Sequence, residues 1–228
     1  MSAVSRRLAL LLLAVLAVPA IALAADTDPK RKINAADERK AASIVLKRTD
    51  FATGWKRTTT PNNDDDDLNC SFYHPDGSDL TLTGDAEAEF ERTGGFPSVL
   101  SYADVYATAK DAASAWSRTV KPALARCLAQ FFQHEVSGAG TTIKVLNYGK
   151  IAFPRVAPRS AAFRIAVRMV VSQDGQTTTV PLTLHIVVVG RGRAEAGFLS
   201  FAPSPGIAGT DLRAFGTLLA KRMKAAGF

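Results

Sequence analysis

Two runs of alternating apolar residues lie on either side of Asp174-Gly175 in this sequence. Asp-Gly between such runs is a strong signal for a two-residue hairpin turn. With that turn, four apolar pairs share one face, and a slip by one residue would bury Arg164 and Arg168. The pattern therefore predicts two long antiparallel strands in a determined register. The expected pairs are Phe163 with Ile186, Ile165 with Leu184, Val167 with Leu182, and Met169 with Val180.

A second turn signal, Arg191-Gly192, predicts that a third strand continues the meander. The same side of the sheet is apolar in both hairpins, so we expect one buried face and one polar face that is partly open. With this turn, the expected pairs are Leu184 with Leu199 and Leu182 with Phe201 on the buried face, and His185 with Phe198 and Thr183 with Ser200 on the polar face.

The other elements follow from periodicity and turn residues. Helices are expected at 36–47, at 108–133 with a break at Pro122, and at 210–225 with Thr210 as N-cap; strands are expected at 79–91, at 99–106 and after Trp55. Together these elements predict one α+β domain over residues 36–228, a twisted antiparallel sheet whose apolar face is covered by helices. Polar residues 25–35 are expected to form a flexible lead-in.

The N-terminus has the pattern of a signal peptide. Arg6 and Arg7 precede an apolar run at 8–18, and Ala22-Leu23-Ala24 supplies the small residues that signal peptidase accepts. The alternative is a membrane anchor, but the whole apolar stretch at 8–24 is only about as long as the shortest membrane-spanning helices and contains Pro19. We expect residues 1–24 to be a cleaved signal, which implies a secreted, extracytoplasmic protein without a stable membrane span.

Two cysteines, Cys70 and Cys127, remain after the predicted cleavage. In an oxidising compartment an even cysteine count predicts a disulfide bond, worth about 4 kcal/mol in the chain-entropy model. The alternative is a metal site, which needs further ligands; His74 is the candidate nearby.

Charge argues against nucleic acid as a partner. Loss of the two signal arginines lowers the formal net charge from +7 to +5, and no long basic run remains. We therefore expect no nucleic-acid partner. The remaining positive charge has two interpretations: it keeps the surface soluble, or it weakly attracts anionic wall polymers or lipid headgroups.

No catalytic set can be assembled, so we expect a protein that is not an enzyme, with a secreted hydrolase as the alternative. There is no G-x-S-x-G motif to go with the three histidines, of which His185 has the most polar neighbours. Paired carboxylates can also serve in a glycosidase, and Glu87, Glu89 and Glu91 alternate on one strand face. Carboxylates in that arrangement are usually solvated.

A bound cofactor or metal is not expected either. The Asp64–Asp67 run contains the oxygen ligands that calcium prefers, yet the glycine and glutamate of a calcium loop are missing. A solvated loop is the simpler interpretation, and there is neither a phosphate-binding glycine loop nor a zinc spacing.

The candidate ligand site is the polar face of the meander, where two arginines of one strand could hold a carboxylate or phosphate. The alternative is that these arginines pair with acidic residues or cover the sheet with their stems. The expected site residues are Arg164, Arg168, Thr183, His185 and Ser200.

The order of several short motifs resembles the PknH-like extracellular sensor domains of actinobacteria. The motifs are D-F-x-x-G-W at 50–55, A-R-C-L at 125–128, A-x-R-I-A-V at 162–167 and H-I-V-V-V-G-R-G-R at 185–193. The resemblance implies an antiparallel sheet with flanking helices and a groove for an extracellular ligand of unknown identity. The kinase members have two disulfides, whereas this sequence has cysteines for one and no kinase domain.

Overall fold

The computed structural model describes residues 28–58, 70–134, 140–173 and 176–228. The predicted signal 1–24, the Asp64–Asp67 run and the Asp174-Gly175 turn lie outside these residues. Within them the strands are β1 Lys30–Arg31, β2 Trp55–Thr58, β3 Thr81–Arg92, β4 Ser98–Tyr106, β5 Thr141–Lys150, β6 Arg159–Gln173, β7 Gln176–Arg191 and β8 Ala194–Pro203. The helices are α1 Ala35–Ile44, α2 Ala109–Thr119, α3 Pro122–His134 and α4 Gly209–Ala225. The predicted α+β class is confirmed.

The described strands form one sheet in the order β1-β3-β4-β8-β7-β6-β5, with β2 paired to the other end of β3. All pairings are antiparallel except that of β1, which makes the sheet mixed. Lys30 and Arg31 pair with Thr81 and Leu82. The flexible lead-in predicted for 25–35 is therefore wrong at these two residues, because β3 offers them free backbone groups.

The first predicted hairpin is confirmed pair by pair. Phe163 faces Ile186 and Met169 faces Val180, and the ladder runs without a shift from Arg159 opposite Gly190 to Gln173 opposite Gln176. The apolar alternation was sufficient to determine this register because a one-residue slip would exchange the two faces.

The second predicted hairpin exists, but its register is wrong by two residues. Arg191 pairs with Ala194, so the turn is Gly192-Arg193, with Gly192 at a φ of 53°. As a result His185 faces Ser200, where Phe198 was expected. A shift of two preserves the face of every side chain, which is why the hydrophobic pattern could not reveal it.

Helices cover both faces of the sheet, which corrects the expectation of one covered face. On the disulfide face, defined by Phe163, Ile186 and Leu199, α3 buries its apolar stripe and α2 lies beside it. On the opposite face, the terminal-helix face, α1 and α4 pack over a second core. That core includes Ala162, Val187, Val189, Ala196, Phe198, Leu212, Leu219 and Met223.

Local sequence signals explain where the helices begin and end. The Asn34 side chain caps α1, and the Thr108 side chain caps α2. Pro122 divides the predicted long helix into α2 and α3, as expected. The predicted cap at Thr210 is wrong, since α4 begins at Gly209 with Ala208 as its N-cap. None of the helices in the described part is long and apolar enough to cross a membrane.

Two bidentate ion pairs tie the first helix region to the C-terminal part of the chain. Arg193 donates to both carboxylate oxygens of Asp37, at 2.8 and 2.6 Å, and Arg222 donates to both oxygens of Asp50. The Arg193 guanidinium holds the pKa of the buried Asp37 carboxyl well below its usual range. In each pair two hydrogen bonds join one guanidinium to one carboxylate, which fixes the relative orientation of the two side chains in addition to their electrostatic attraction.

The predicted disulfide is confirmed between Cys70 and Cys127, with a Cα–Cα distance of 5.7 Å. Both cysteines are buried in the core of the disulfide face. The bond joins α3 to the segment that precedes β3, and Tyr73 of that segment donates a hydrogen bond to the carbonyl of Thr119 at 2.7 Å.

The double variant Cys70→Ala/Cys127→Ala should lose about 2–4 kcal/mol of unfolding free energy, because the unfolded chain is no longer cross-linked. Urea unfolding followed by tryptophan fluorescence measures the loss. Reductant should destabilise the wild type to a similar extent and leave the variant unchanged. Equal stability of the variant and the oxidised wild type would contradict the assigned role.

Candidate functional site

The structure brings the five predicted site residues to one face but at different depths. Arg164 and Arg168 are exposed on β6, whereas Thr183, His185 and Ser200 are buried, with 3%, 5% and 1% of their surface exposed. The expectation that all five line an open surface is therefore wrong for the last three. They are buried because the terminal-helix face is itself covered.

The exposed part of this site is a basic patch, defined here as Lys144, Arg164 and Arg168. Lys144 of β5 lies directly across from Arg168, and all three cations are exposed on the terminal-helix face. Among the described residues, every ion pair involves other side chains. The sole hydrogen bond of the Arg164 guanidinium there is a 3.5 Å contact with Asn147.

Beside the basic patch lies a buried polar layer, defined as Thr183, His185 and Ser200. His185 lies between Arg164 and Ser200 in the strand pairing, and the Thr183 and Ser204 hydroxyls are 3.0 Å apart. His185 Nδ1 and Ser200 Oγ are buried without a hydrogen-bond partner among the described residues. Burial, together with the charge of Arg164, lowers the pKa of His185, so the imidazole is neutral at neutral pH.

This layer does not have the geometry of a hydrolase site. Ser200 and His185 are neighbours on adjacent strands, but a nucleophile must reach its substrate, and 1% of Ser200 is exposed. A β-carbon at Gly206, which has a φ of 96°, would lie 2.5 Å from His185 Cε1, so the loop after β8 closes tightly over the imidazole.

On the disulfide face, at the other end of the sheet, carboxylates occupy three neighbouring strands. Asp85 of β3 lies across from Asp104 of β4, which lies across from Glu195 of β8. Glu87 is two residues from Asp85 on the same face and lies across from Tyr102. We refer to Asp85, Glu87, Asp104 and Glu195 as the acidic row.

The inner members of the acidic row have strongly raised pKa values. Burial, reinforced by the charge of Asp104, raises the pKa of Glu195 to about 8. Burial and the charges of Asp85 and Glu87 raise the pKa of Asp104 to about 7. Burial also raises the pKa of Glu87 and of Glu89.

The expectation that the β3 glutamates are simply solvated needs correction. Glu87 is exposed and Glu89 is half-buried, but Glu91 has 6% of its surface exposed and pairs with Lys56 at 2.8 Å. Glu91 lies directly across from Lys56 in the β2–β3 pairing, which brings the two side chains together.

Lys144, Asp104 and Glu195 were not singled out from the sequence. Asp104 and Glu195 each interrupt a run of small and apolar residues. Acidic residues are uncommon in such surroundings, so the interruption was a usable signal. Lys144 gave no signal, because its place beside Arg168 depends on the β5–β6 pairing.

An open cleft of about 470 Å³ lies beside the disulfide. Arg118, bound to both carboxylate oxygens of Asp79, forms part of its wall. His74 is exposed at this cleft, and His134 is exposed at the end of α3. The lining residues are Phe72, Tyr73, His74, Pro75, Asp76, Asp79, Arg118, Lys121 and Ala123.

Within the described residues, no group of three or more histidine, cysteine, aspartate or glutamate side chains could hold a metal ion. The prediction for Asp64–Asp67 lies outside them. Neither a protein-family model nor a curated protein matches this sequence.

Arg164→Ala should raise the pKa of His185, because it removes the neighbouring positive charge while the burial persists. Titration of the His185 ring protons by NMR measures the shift. Arg168→Ala is the matched control and should leave the His185 pKa unchanged. If the two variants give the same His185 pKa as the wild type, Arg164 does not act on the imidazole.

Glu195→Gln should stabilise the protein above neutral pH. Between its ordinary pKa of 4.5 and its folded pKa of about 8, Glu195 is protonated in the folded chain and ionised in the unfolded chain, so wild-type stability falls as pH rises through that window. Glutamine removes this loss, which should amount to roughly 1–3 kcal/mol for a buried group without a partner.

Urea unfolding at several pH values measures this effect of Glu195→Gln. Glu91→Gln is the control, since Glu91 is equally buried but has a salt-bridge partner, and it should not stabilise the protein. A Glu195→Gln variant whose stability follows the same pH dependence as the wild type would refute the assignment.

Proposed function

We propose that this chain is a secreted, non-enzymatic binding module of the bacterial cell envelope, sensor-like in the manner of the PknH-like domains that its motifs resemble. It requires no cofactor, and its ligand presents phosphate or carboxylate groups to the basic patch. Wall polymers and lipid headgroups both have this chemistry.

The observation that supports this most is the lack of acidic partners around Lys144, Arg164 and Arg168 among the described residues. Exposed arginines often pair with nearby carboxylates, and three neighbouring cations without such partners repel one another. An anionic ligand would relieve that repulsion and could accept paired hydrogen bonds from each guanidinium.

The spacing of the cations favours a ligand with more than one negative charge. Arg164 and Arg168 are four residues apart on one strand, which places their Cα atoms about 13 Å apart. Lys144 and Arg168 would bind one anionic group, while Arg164 and Asn147 would bind a second. A polymer with repeated phosphates or carboxylates meets that requirement better than a single small anion.

Export is supported by the sequence pattern at 1–24 and by the disulfide. Disulfide bonds persist outside the cytoplasm and are rare within it. The bond between Cys70 and Cys127 is therefore in keeping with an extracytoplasmic location.

A secreted hydrolase is the second candidate, favoured by the adjacency of His185 and Ser200. A panel of esterase, peptidase and glycosidase substrates tests it. Activity that disappears in both His185→Ala and Ser200→Ala would replace binding with catalysis as the proposed function.

For the binding function, we expect Arg164→Ala/Arg168→Ala to weaken binding to anionic probes by about tenfold or more, since each lost charged hydrogen bond is worth about 1.5–3 kcal/mol. Two probes separate the sources of the anion: inorganic polyphosphate for a polymer, and phosphatidylglycerol vesicles for a headgroup. Binding should also weaken as salt increases, because exposed charges are screened.

The matched control is Arg213→Ala/Lys221→Ala, which removes two exposed cations from α4 and the same total charge. It should bind both probes as the wild type does. Equal losses in the two double variants would mean that net charge and not the basic patch attracts the probes. Unchanged binding in Arg164→Ala/Arg168→Ala would end the proposal.

A further inference from the structure

The terminal-helix face of the meander extends beyond the basic patch, toward the end of the β6–β7 pairing that is farthest from α4. Arg168 of β6 is followed on this face by Val170 and Ser172, because every second residue of a strand lies on the same side. On β7 the residues of this face are exposed as far as Pro181 and buried at Thr183. Part of the sheet surface beside the basic patch is therefore open.

Hydroxyl side chains occupy this open surface. Thr142 of β5 lies across from Val170, which lies across from Thr179 of β7. In the next row Ser172 lies across from Thr177. The four hydroxyl-bearing residues are all exposed. We refer to Thr142, Thr179, Ser172 and Thr177 as the hydroxyl cluster.

The hydroxyl cluster is continuous with the basic patch. Thr142 is two residues from Lys144 on β5, and Val170 is two residues from Arg168 on β6, so each of these steps along a strand is about 7 Å. Lys144 and Arg168 lie across from each other, as Thr142 and Val170 do. A ligand that extends along β6 therefore meets cations first and hydroxyls next.

The two hydroxyls nearest the basic patch are available to a ligand. Within the described residues, neither the Thr142 nor the Thr179 hydroxyl forms a hydrogen bond. The Ser172 and Thr177 hydroxyls are 3.3 Å apart and retain capacity for a further bond. Because a hydroxyl both donates and accepts, such groups match a partner that itself has hydroxyls.

The charge of this part of the chain favours an anionic partner. The sequence between Glu135 and Glu195 contains one acidic residue, Asp174, and β5, β6 and β7 contain none. The same stretch has eight basic residues, Lys144, Lys150, Arg155, Arg159, Arg164, Arg168, Arg191 and Arg193. A surface of one sign attracts a partner of the opposite sign.

We propose that this face binds a phosphodiester polymer whose repeating unit contains a sugar or polyol. The phosphates lie on the basic patch, where arginine and lysine bind them, and the hydroxyls of the repeating unit lie on the hydroxyl cluster. Val170, half-buried between Thr142 and Thr179, contacts the carbon atoms of that unit. The inference rests on the function proposed above and narrows its ligand, since a purely ionic polymer would leave the hydroxyl cluster unused.

The test compares two synthetic oligomers of equal length, one of ribitol phosphate and one of pentanediol phosphate. Both have a five-carbon spacer and one negative charge per phosphodiester, but only ribitol has free hydroxyls. In calorimetric titrations of the oxidised protein, we expect the ribitol oligomer to bind about fivefold more tightly or better, which is the usual effect of one neutral hydrogen bond.

Thr142→Val/Thr179→Val should abolish this preference, because valine has the shape of threonine without the hydroxyl and is also favoured in strands. Its affinity for the pentanediol oligomer should equal that of the wild type. Thr178→Val is the matched control: Thr178 is also exposed on β7 but lies on the disulfide face, across from Val171. This variant should keep the preference for the ribitol oligomer.

The outcomes separate this inference from the proposed function. If Arg164→Ala/Arg168→Ala weakens the binding of both oligomers but the wild type binds them equally, the inference fails and the proposed function stands. A preference that persists in Thr142→Val/Thr179→Val would also overturn the inference. If neither oligomer binds, or if Arg164→Ala/Arg168→Ala binds them as the wild type does, both fail. Binding confined to phosphatidylglycerol vesicles would overturn the inference in favour of a membrane surface.

Discussion

Burial of both faces of the central strands decides which side chains β7 and β8 can contain. Every residue of β7 from 182 to 190 and of β8 from 194 to 202 is buried. A polar side chain at such a position must find a partner or become neutral. Three of these positions have a buried polar atom without a hydrogen-bond partner among the described residues: His185 and Ser200 on one face, and Glu195 on the other. Such positions depart from a purely packed sheet and are candidates for function.

The helices that bury these strands leave different regions uncovered. On the terminal-helix face, the β5 and β6 side chains beyond α4 are exposed, and three cations occupy that surface. On the disulfide face, the β3 end is open, and carboxylates occupy it. A chain with a modest net positive charge thus separates its charges into two regions of opposite sign. The acidic region ends at two ion pairs, one between Arg31 of β1 and Asp85 and one between Lys56 of β2 and Glu91.

Much of the fold could be predicted from local patterns. Alternation determined the β6–β7 register, Pro122 divided the long helical stretch, and the cysteine count gave the disulfide. The two-residue error at Gly192-Arg193 preserved every face and so was invisible to hydrophobicity. The depth of His185 could not be predicted, because it depends on α4 and the Gly206 loop, whose packing is tertiary. The acidic row likewise exists only once β3, β4 and β8 lie side by side.

The position of β8 between β4 and β7 has a consequence for assembly. β4 borders β3 on one side, while its other neighbour, β8, is synthesised about 100 residues later, so this pairing carries a large loop-closure cost. The C-terminal meander can pair locally as it emerges, whereas the earlier β3–β4 hairpin has an open hydrogen-bonding edge until β8 arrives. While the chain is only partly synthesised, that unpaired edge can form hydrogen bonds with other chains, which favours aggregation until β8 pairs with β4.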